Sequence, residues 1–398
     1  MFTPEPPPQA PAATPSTSSP PTSPLRFLIV FTGDGYAADG VAHLVSALEG
    51  RGHHVEWVSY MGLAASAAKS VASASLRGIK AALHTVTGKL MGDDPLGLST
   101  RPASARPDAI VATTPELALA TRVIAGSKTL RVGLMTDLRW DPQWSSSEND
   151  VLVVSHPLFR EFCLQQGWRY EAISLGGVPL PRPFCAPLDP DALRARFNLS
   201  PDLGPILMVV AEDVEAPRLE RIVFQLSLTE RPFQPIFYTG ADPHAGPTLR
   251  AAAHKYGVTA RMFGKVDNLE EFYAVSHAVL IQAPSPLTYP LLALDKPLIF
   301  FDTDPSHHPL AAFLRDESAA LLVPDLLRLS AELDALFSNP DDLDRISAGA
   351  RHVVDQQGVS HIISALEACA AQPDLFIGLS RTPLPADTSP EGPTTTPA

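Results

Sequence analysis

An almost unbroken apolar run, Leu25-Arg26-Phe27-Leu28-Ile29-Val30-Phe31, opens the patterned part of the sequence. It lacks polar alternation, the mark of a strand buried on both faces. Thr32-Gly33-Asp34-Gly35 follows, and then a predicted helix over residues 37–50. Shorter apolar runs at 54–58, 108–112, 131–135 and 151–154 read as further strands, several separated by helical segments. Alternation of this kind predicts a parallel sheet. The Pro- and Gly-rich stretch from Gly176 to Pro183 interrupts the pattern, which then restarts. Strands are predicted at 206–210, 234–238, 279–281 and 297–301, with helices near 218–228, 248–256, 330–337, 340–357 and 360–371.

Two consecutive open α/β units place a cleft between them, at the carboxyl ends of their strands. The expected organisation is an N-terminal Rossmann-like domain over 25–175 and a C-terminal one over 176–378. Residues 1–24 and 379–398 are rich in Pro, Ser and Thr and cannot bury a core, so they are expected to be disordered tails. The first 24 residues also lack the basic and apolar regions of a signal peptide, and no apolar run approaches the ~18 residues of a membrane span.

Composition narrows the chemistry. The 398 residues are 45% hydrophobic, enough for two sizeable cores, and the formal charge is -13. An acidic surface lacks the footprint for a phosphate polymer, so nucleic acid is not an expected partner. Cys163, Cys185 and Cys369 lie far apart and have no metal-ligand spacing, which fits a reducing compartment and no metal site.

Four segments carry a family resemblance. They are Thr136-Asp137 followed by Trp140, Trp144 and Asp150; Gly177-Val178-Pro179 with Phe184; Phe263-Gly264-Lys265-Val266-Asp267-Asn268-Leu269; and Leu291-Leu292-Ala293-Leu294-Asp295-Lys296-Pro297. In order and spacing they resemble the monogalactosyldiacylglycerol synthase and processive diacylglycerol glucosyltransferase group. They are also similar to the transferase that adds N-acetylglucosamine to lipid I. The resemblance spans residues 25–372. It implies the GT-B fold, two Rossmann-like domains facing across a cleft, and transfer from a UDP-sugar to a lipid acceptor. It also implies that Gly264 and Val266 lie beside the donor base.

The residues at the implied donor positions have the wrong chemistry. A diphosphate is held by backbone N–H groups that glycines let approach closely. After the strand at 206–210 the sequence reads Ala211-Glu212-Asp213-Val214-Glu215, with carboxylates in place of glycines. At ~5 Å and an effective dielectric of ~20, a carboxylate–phosphate pair is repelled by ~3 kcal/mol before screening. Two such pairs offset most of the ~8 kcal/mol of a micromolar affinity. The alternative is that these acids point outward and solvate a loop.

At the second implied donor loop, Pro284 and Ser285 replace two glycines, and proline offers no N–H. Pro290 stands where the resemblance implies a ribose-binding glutamate, and Thr288 could supply the family's threonine only by a one-residue slip. At the third, His307 and Leu310 replace a glutamate and an asparagine. The pair His307 and His308 fits acid/base or metal chemistry, or two polar loop residues. On the acceptor side Gly33 and Gly35 are kept, but Tyr36 stands at the position of the implied histidine base. A tyrosine with a pKa of ~10 is a poor base at neutral pH. Asp34 reads as a base or as a helix cap, and Asp137 as a cleft residue or an ordinary turn aspartate.

Residues 61–92 hold no acid and four bases, Lys69, Arg77, Lys80 and Lys89. Leu76, Ile79, Leu83, Val86 and Leu90 recur at helical steps beside them. This reads as a helix for an anionic membrane surface, or as a helix packed on the sheet. The expected function is a glycosyltransferase-like pseudoenzyme, without a cofactor, that binds a membrane lipid surface or a protein partner at the cytoplasmic face. The alternative is an active lipid glycosyltransferase using a UDP-sugar.

Overall fold

A computed structural model describes residues 23–32, 35–59, 106–121, 128–282, 285 and 287–378. Both terminal tails, Gly33, Asp34, Pro284 and the basic segment with Lys69, Arg77, Lys80 and Lys89 lie outside the described residues.

The first sheet is built from β1 (Arg26–Phe31), β2 (His54–Ser59), β3 (Ala109–Ala112), β4 (Leu130–Leu134), β5 (Val151–Val154) and β6 (Ile173–Leu175), in the order β2-β1-β3-β4-β5-β6. All its pairings are parallel. Helices α1 (Gly35–Gly50), α2 (Pro115–Thr121) and α3 (Pro157–Gln165) connect them. The unbroken apolar run of β1 is explained by its two buried faces. Leu28 and Val30 join one cluster, while Phe27, Ile29 and Phe31 join another on the opposite side.

The second sheet comprises β7 (Ile206–Val210), β8 (Gln234–Tyr238), β9 (Arg261–Phe263), β10 (Ala278–Gln282), β11 (Leu298–Phe301) and β12 (Ala320–Val323). Its order is β12-β11-β10-β7-β8-β9, again all parallel, the strand order of a dinucleotide-binding Rossmann unit. Its helices are α4 (Pro190–Arg196), which precedes β7, α5 (Ala216–Ser227), α6 (Ala245–Tyr256), α7 (Leu269–Val275), α8 (Thr288–Ala293), α9 (Pro309–Asp316), α10 (Leu329–Ser338) and α11 (Pro340–Val353).

The chain then crosses back. Helix α12 (Gly358–Ala371) lays Val359, Ile362, Ile363 and Leu366 into the cluster under β1, β3, β4 and β5. Its buried Glu367 accepts from Arg51 Nη1 and bonds His53 Nε2, both at 2.9 Å, at the turn between α1 and β2. Gly358 is needed where α12 begins: a Cβ there would stand 2.3 Å from the Val178 carbonyl oxygen. One buried cluster runs from β1, β3 and β5 through Val178, Leu180 and Phe184 into β7, β10 and β11, so the two units share a core across their linker.

Candidate functional site

Each sheet has a point where the strand order reverses, between β1 and β3 in the first and between β7 and β10 in the second. Turns leaving such neighbouring strands diverge and open a crevice at their carboxyl ends. A cavity of about 710 Å³ lies there, within the usual range for a small-molecule site. Thr32 after β1 and Thr113, Thr114 and Glu116 after β3 form one wall. Asp137, Arg139, Trp140 and Asp141 after β4 form another, and Ser285, Tyr289, Pro290 and Leu310 close it from the second unit.

Asp137 sits in this wall as a candidate from the sequence, and the structure supplies its partner. Its Oδ1 accepts from the Arg139 backbone N–H at 3.0 Å, and its Oδ2 accepts from Arg139 Nε at 2.9 Å and Nη2 at 2.8 Å. The carboxylate raises the pKa of the Arg139 guanidinium above its ordinary value, and the Tyr289 phenol lies close to both. Burial, followed by the nearby Asp137 charge, pushes the Tyr289 phenol well above its usual range, so it stays neutral. Tyr289 also meets the Leu138 backbone, which ties α8 of the second unit to the loop after β4. Behind that loop, Trp140 packs against Phe159 and Phe162, with centroids 6.0 and 5.4 Å apart. Asp150, part of the same motif, is structural. It is buried, and it accepts from Arg131 and from the Gly378 N–H.

The turns of the second unit have satisfied themselves. Glu212 points toward the end of β8, where its Oε1 accepts from the Ala241 N–H at 3.1 Å. Gly240, with φ +57°, lies so close beneath it that a Cβ would be 1.9 Å from that oxygen. Asp213 holds a left-handed φ of 61° and is exposed. Thr288 is fully buried, and its Oγ1 accepts from the Ser285 N–H at 2.9 Å. His307 is exposed and its Nδ1 lies 3.2 Å from Asp304 Oδ2, while His308 occupies the N-cap of α9 without a side-chain cap bond. Gly264 and Val266 follow the edge strand β9. Of the second-unit positions singled out by the motifs, Val178, Pro179, Ser285, Pro290 and Leu310 line the cavity and the other described ones do not. Gly35 and Tyr36 lie in the first turn of α1.

The sequence pattern does not single out Thr113, Glu116, Arg139 or Tyr289. The first two follow an ordinary-looking short strand, and only the strand order puts that turn at a crevice. Among the described residues no cluster of three His, Cys, Asp or Glu is arranged to hold a metal ion. Burial pushes the Cys185 and Cys369 thiols up to about 11, so neither is poised as a nucleophile. Among the described residues, no helix is long and apolar enough to cross a membrane.

No model of a known protein family matches the chain. It is 21% identical over 243 residues to the processive diacylglycerol beta-glucosyltransferase of Bacillus licheniformis, covering 61% of this chain and 63% of that protein. It is 19% identical over 265 residues to the enzyme of the same description from Bacillus cereus, covering 66% and 68%. The chain thus spans a little under two thirds of the length of the first of these relatives. Among solved structures, the calicheamicin glycosyltransferase CalG4 aligns with a TM-score of 0.59 at 15% identity, over 88% of this chain and 99% of that one. S. aureus MnaA, solved with UDP, aligns at 0.59 and 13%, over 86% and 96%. A Listeria monocytogenes protein described as a putative UDP-N-acetylglucosamine 2-epimerase aligns at 0.58 and 14%, over 88% and 98%. The chain has the GT-B fold, and it is a glycosyltransferase-like protein similar in sequence to lipid glycosyltransferases.

Proposed function

We propose that this protein binds a ligand or partner at a membrane surface on the cytoplasmic side and does not transfer sugar. The observation that carries the reading is the self-satisfied turn set of the second unit. Glu212 occupies the Ala241 N–H, and Thr288 occupies the Ser285 N–H. Backbone donors already engaged are not offered to a diphosphate, and a carboxylate beside them repels one. The cavity supports the same reading. Among the described residues its one Lys or Arg, Arg139, is paired with Asp137, while Glu116 and Asp141 leave it net negative. Both Asp137 oxygens are held by Arg139, which anchors the loop and engages that carboxylate.

Calorimetric titration with UDP, UDP-glucose, UDP-galactose and UDP-N-acetylglucosamine tests the reading. No saturable heat is expected up to millimolar nucleotide, and micromolar binding of any of the four would reject it. The membrane part is tested by co-sedimentation with anionic vesicles. Neutralising Lys69, Arg77, Lys80 and Lys89 together is expected to release the protein, and unchanged sedimentation would remove the membrane from the proposal.

A second reading, an active UDP-sugar-dependent lipid glycosyltransferase, is favoured by the sequence similarity to diacylglycerol glucosyltransferases. Radiolabelled sugar appearing on diacylglycerol would establish it over the first.

A further inference from the structure

His156 lies where the two units meet, next to residues of both cleft walls. It follows β5 and is the N-cap of α3, where its Nδ1 accepts from the Leu158 N–H at 3.2 Å. A ring nitrogen that accepts carries no proton, so this imidazole is neutral, with its proton on Nε2. The preceding Ser155 donates its hydroxyl to the carbonyl of Asp137, in the first unit's wall. The imidazole is 7% exposed and packs edge-on with Phe313 of α9, the centroids 5.1 Å apart. Phe159 of α3 flanks it at 6.2 Å. Helix α9 also carries Leu310, which closes the cavity from the second unit.

The charged groups acting on the ring come from the second unit. They are Glu317, the C-cap of α9, and His352, in the last turn of α11. Arg315 and Asp316 of α9 are exposed and bonded to each other, and the Asp137 carboxylate is held by Arg139. Burial lowers the His156 pKa below its ordinary value; Glu317 opposes that shift and His352 adds to it. A proton on Nδ1 turns the acceptor into a donor aimed at the Leu158 N–H. The cap of α3 is then lost, and a positive charge stands at the positive end of that helix. Hydration of the cation favours withdrawal of the ring from the contact.

We propose that His156 is a pH-sensitive catch between the two units. Neutral, it caps α3 and holds α9 through Phe313. Protonated, it leaves the contact and frees α9, so that the wall carrying Leu310 separates from the wall carrying Asp137. The catch does not depend on what the cleft binds, and it stands or falls apart from the nucleotide titration.

The test follows amide hydrogen exchange of the full chain from pH 7.5 to pH 5, corrected for the intrinsic pH dependence of exchange. Peptides covering α3 and α9 are expected to lose protection together, by at least about tenfold, on acidification. His156→Asn keeps a strong N-cap residue without a titrating group and is expected to hold both helices protected throughout. Glu317→Gln is expected to move the midpoint to lower pH and His352→Gln to higher pH, opposite shifts that a histidine with a packing role alone would not give. Each chain is also measured with His277→Gln, which removes a second histidine whose pKa burial lowers. Urea midpoints at pH 7.5 report whether the variants remain folded. An acid response that persists in His156→Asn, a response in α3 that leaves α9 unchanged, or a midpoint unmoved by both charge variants would overturn the proposal. So would a wild-type chain with no acid response.

Discussion

At the start of β3, Asp108 brackets Arg26 of β1: its backbone N–H donates to the Arg26 carbonyl and its Oδ2 accepts from the Arg26 N–H, both at 2.8 Å. At the start of β10, His277 does the same to Ile206 of β7, its N–H donating at 2.8 Å and its Nδ1 accepting at 2.9 Å. The two switch points are thus founded alike at their amino ends. They part company at the other end. The first opens into a cavity with an unpartnered hydroxyl and unpaired carboxylates, while the second binds its own side chains to its own backbone. One strand arrangement is therefore compatible with turns that leave polar groups unpaired and with turns that bind them to the backbone. The choice is made by a few residues in the turns, which is why fold alone does not fix activity.

The largest effect expected from this contrast is one of pH. Burial, with Arg194 and Lys296 nearby, lowers the His277 pKa to about 4, and its Nδ1 must remain an acceptor. The unfolded histidine titrates near ~6.5, so on acidification the unfolded chain takes up this proton first. Stability is full above that pH and falls as the pH drops toward the folded value. With partial exposure discounted, the loss is about 2 kcal/mol. Urea midpoints between pH 7 and 4 measure it, and His277→Gln should flatten the profile. An unchanged profile would mean the bracket does not couple to protonation.

Paired substitutions of one kind at the two carboxyl ends sharpen the contrast. Thr288→Val strips the fully buried hydroxyl that accepts from the Ser285 N–H and is expected to destabilise by about 1–2 kcal/mol in chemical denaturation. Tyr289→Phe removes the hydroxyl that lies beside Arg139 and the Leu138 backbone and is expected to cost about 1 kcal/mol. Thr113→Val deletes a hydroxyl with no partner and should be neutral or stabilising by under about 1 kcal/mol. If Thr113→Val destabilised the fold as much as Thr288→Val, the two ends would not differ in the way described.

The sequence revealed strands at the sheet centres and the edge strand β2, and missed the other three edges. β1, β5, β7 and β11 read as strands because nearly every position is buried. β6, β9 and β12, which are not predicted from the sequence, each lie at a sheet edge and run only three or four residues; β6 and β9 each include a polar residue, while β12 is a four-residue apolar run too short to tell from a buried helix segment. Helices α2, α7 and α8 run only six or seven residues, too few to establish a period. Helix α12 was legible as a helix, but its partners are in the first unit, and a local pattern carries no information about such a distant contact. In the site, Asp137 and Ser285 could be found because they follow strands in recognisable motifs. The direction of Glu212 could not, since it depends on Gly240 in another turn.

The return of α12 has a consequence for how the protein is made. During translation the first sheet emerges early and α1 covers part of one face with Val41, Leu44, Val45 and Leu48, but the part that α12 covers stays bare until the whole second sheet has been synthesised and α12 has left the ribosome. The nascent chain must therefore carry a sticky, half-finished layer through most of its synthesis, a period in which chaperone capture competes with aggregation.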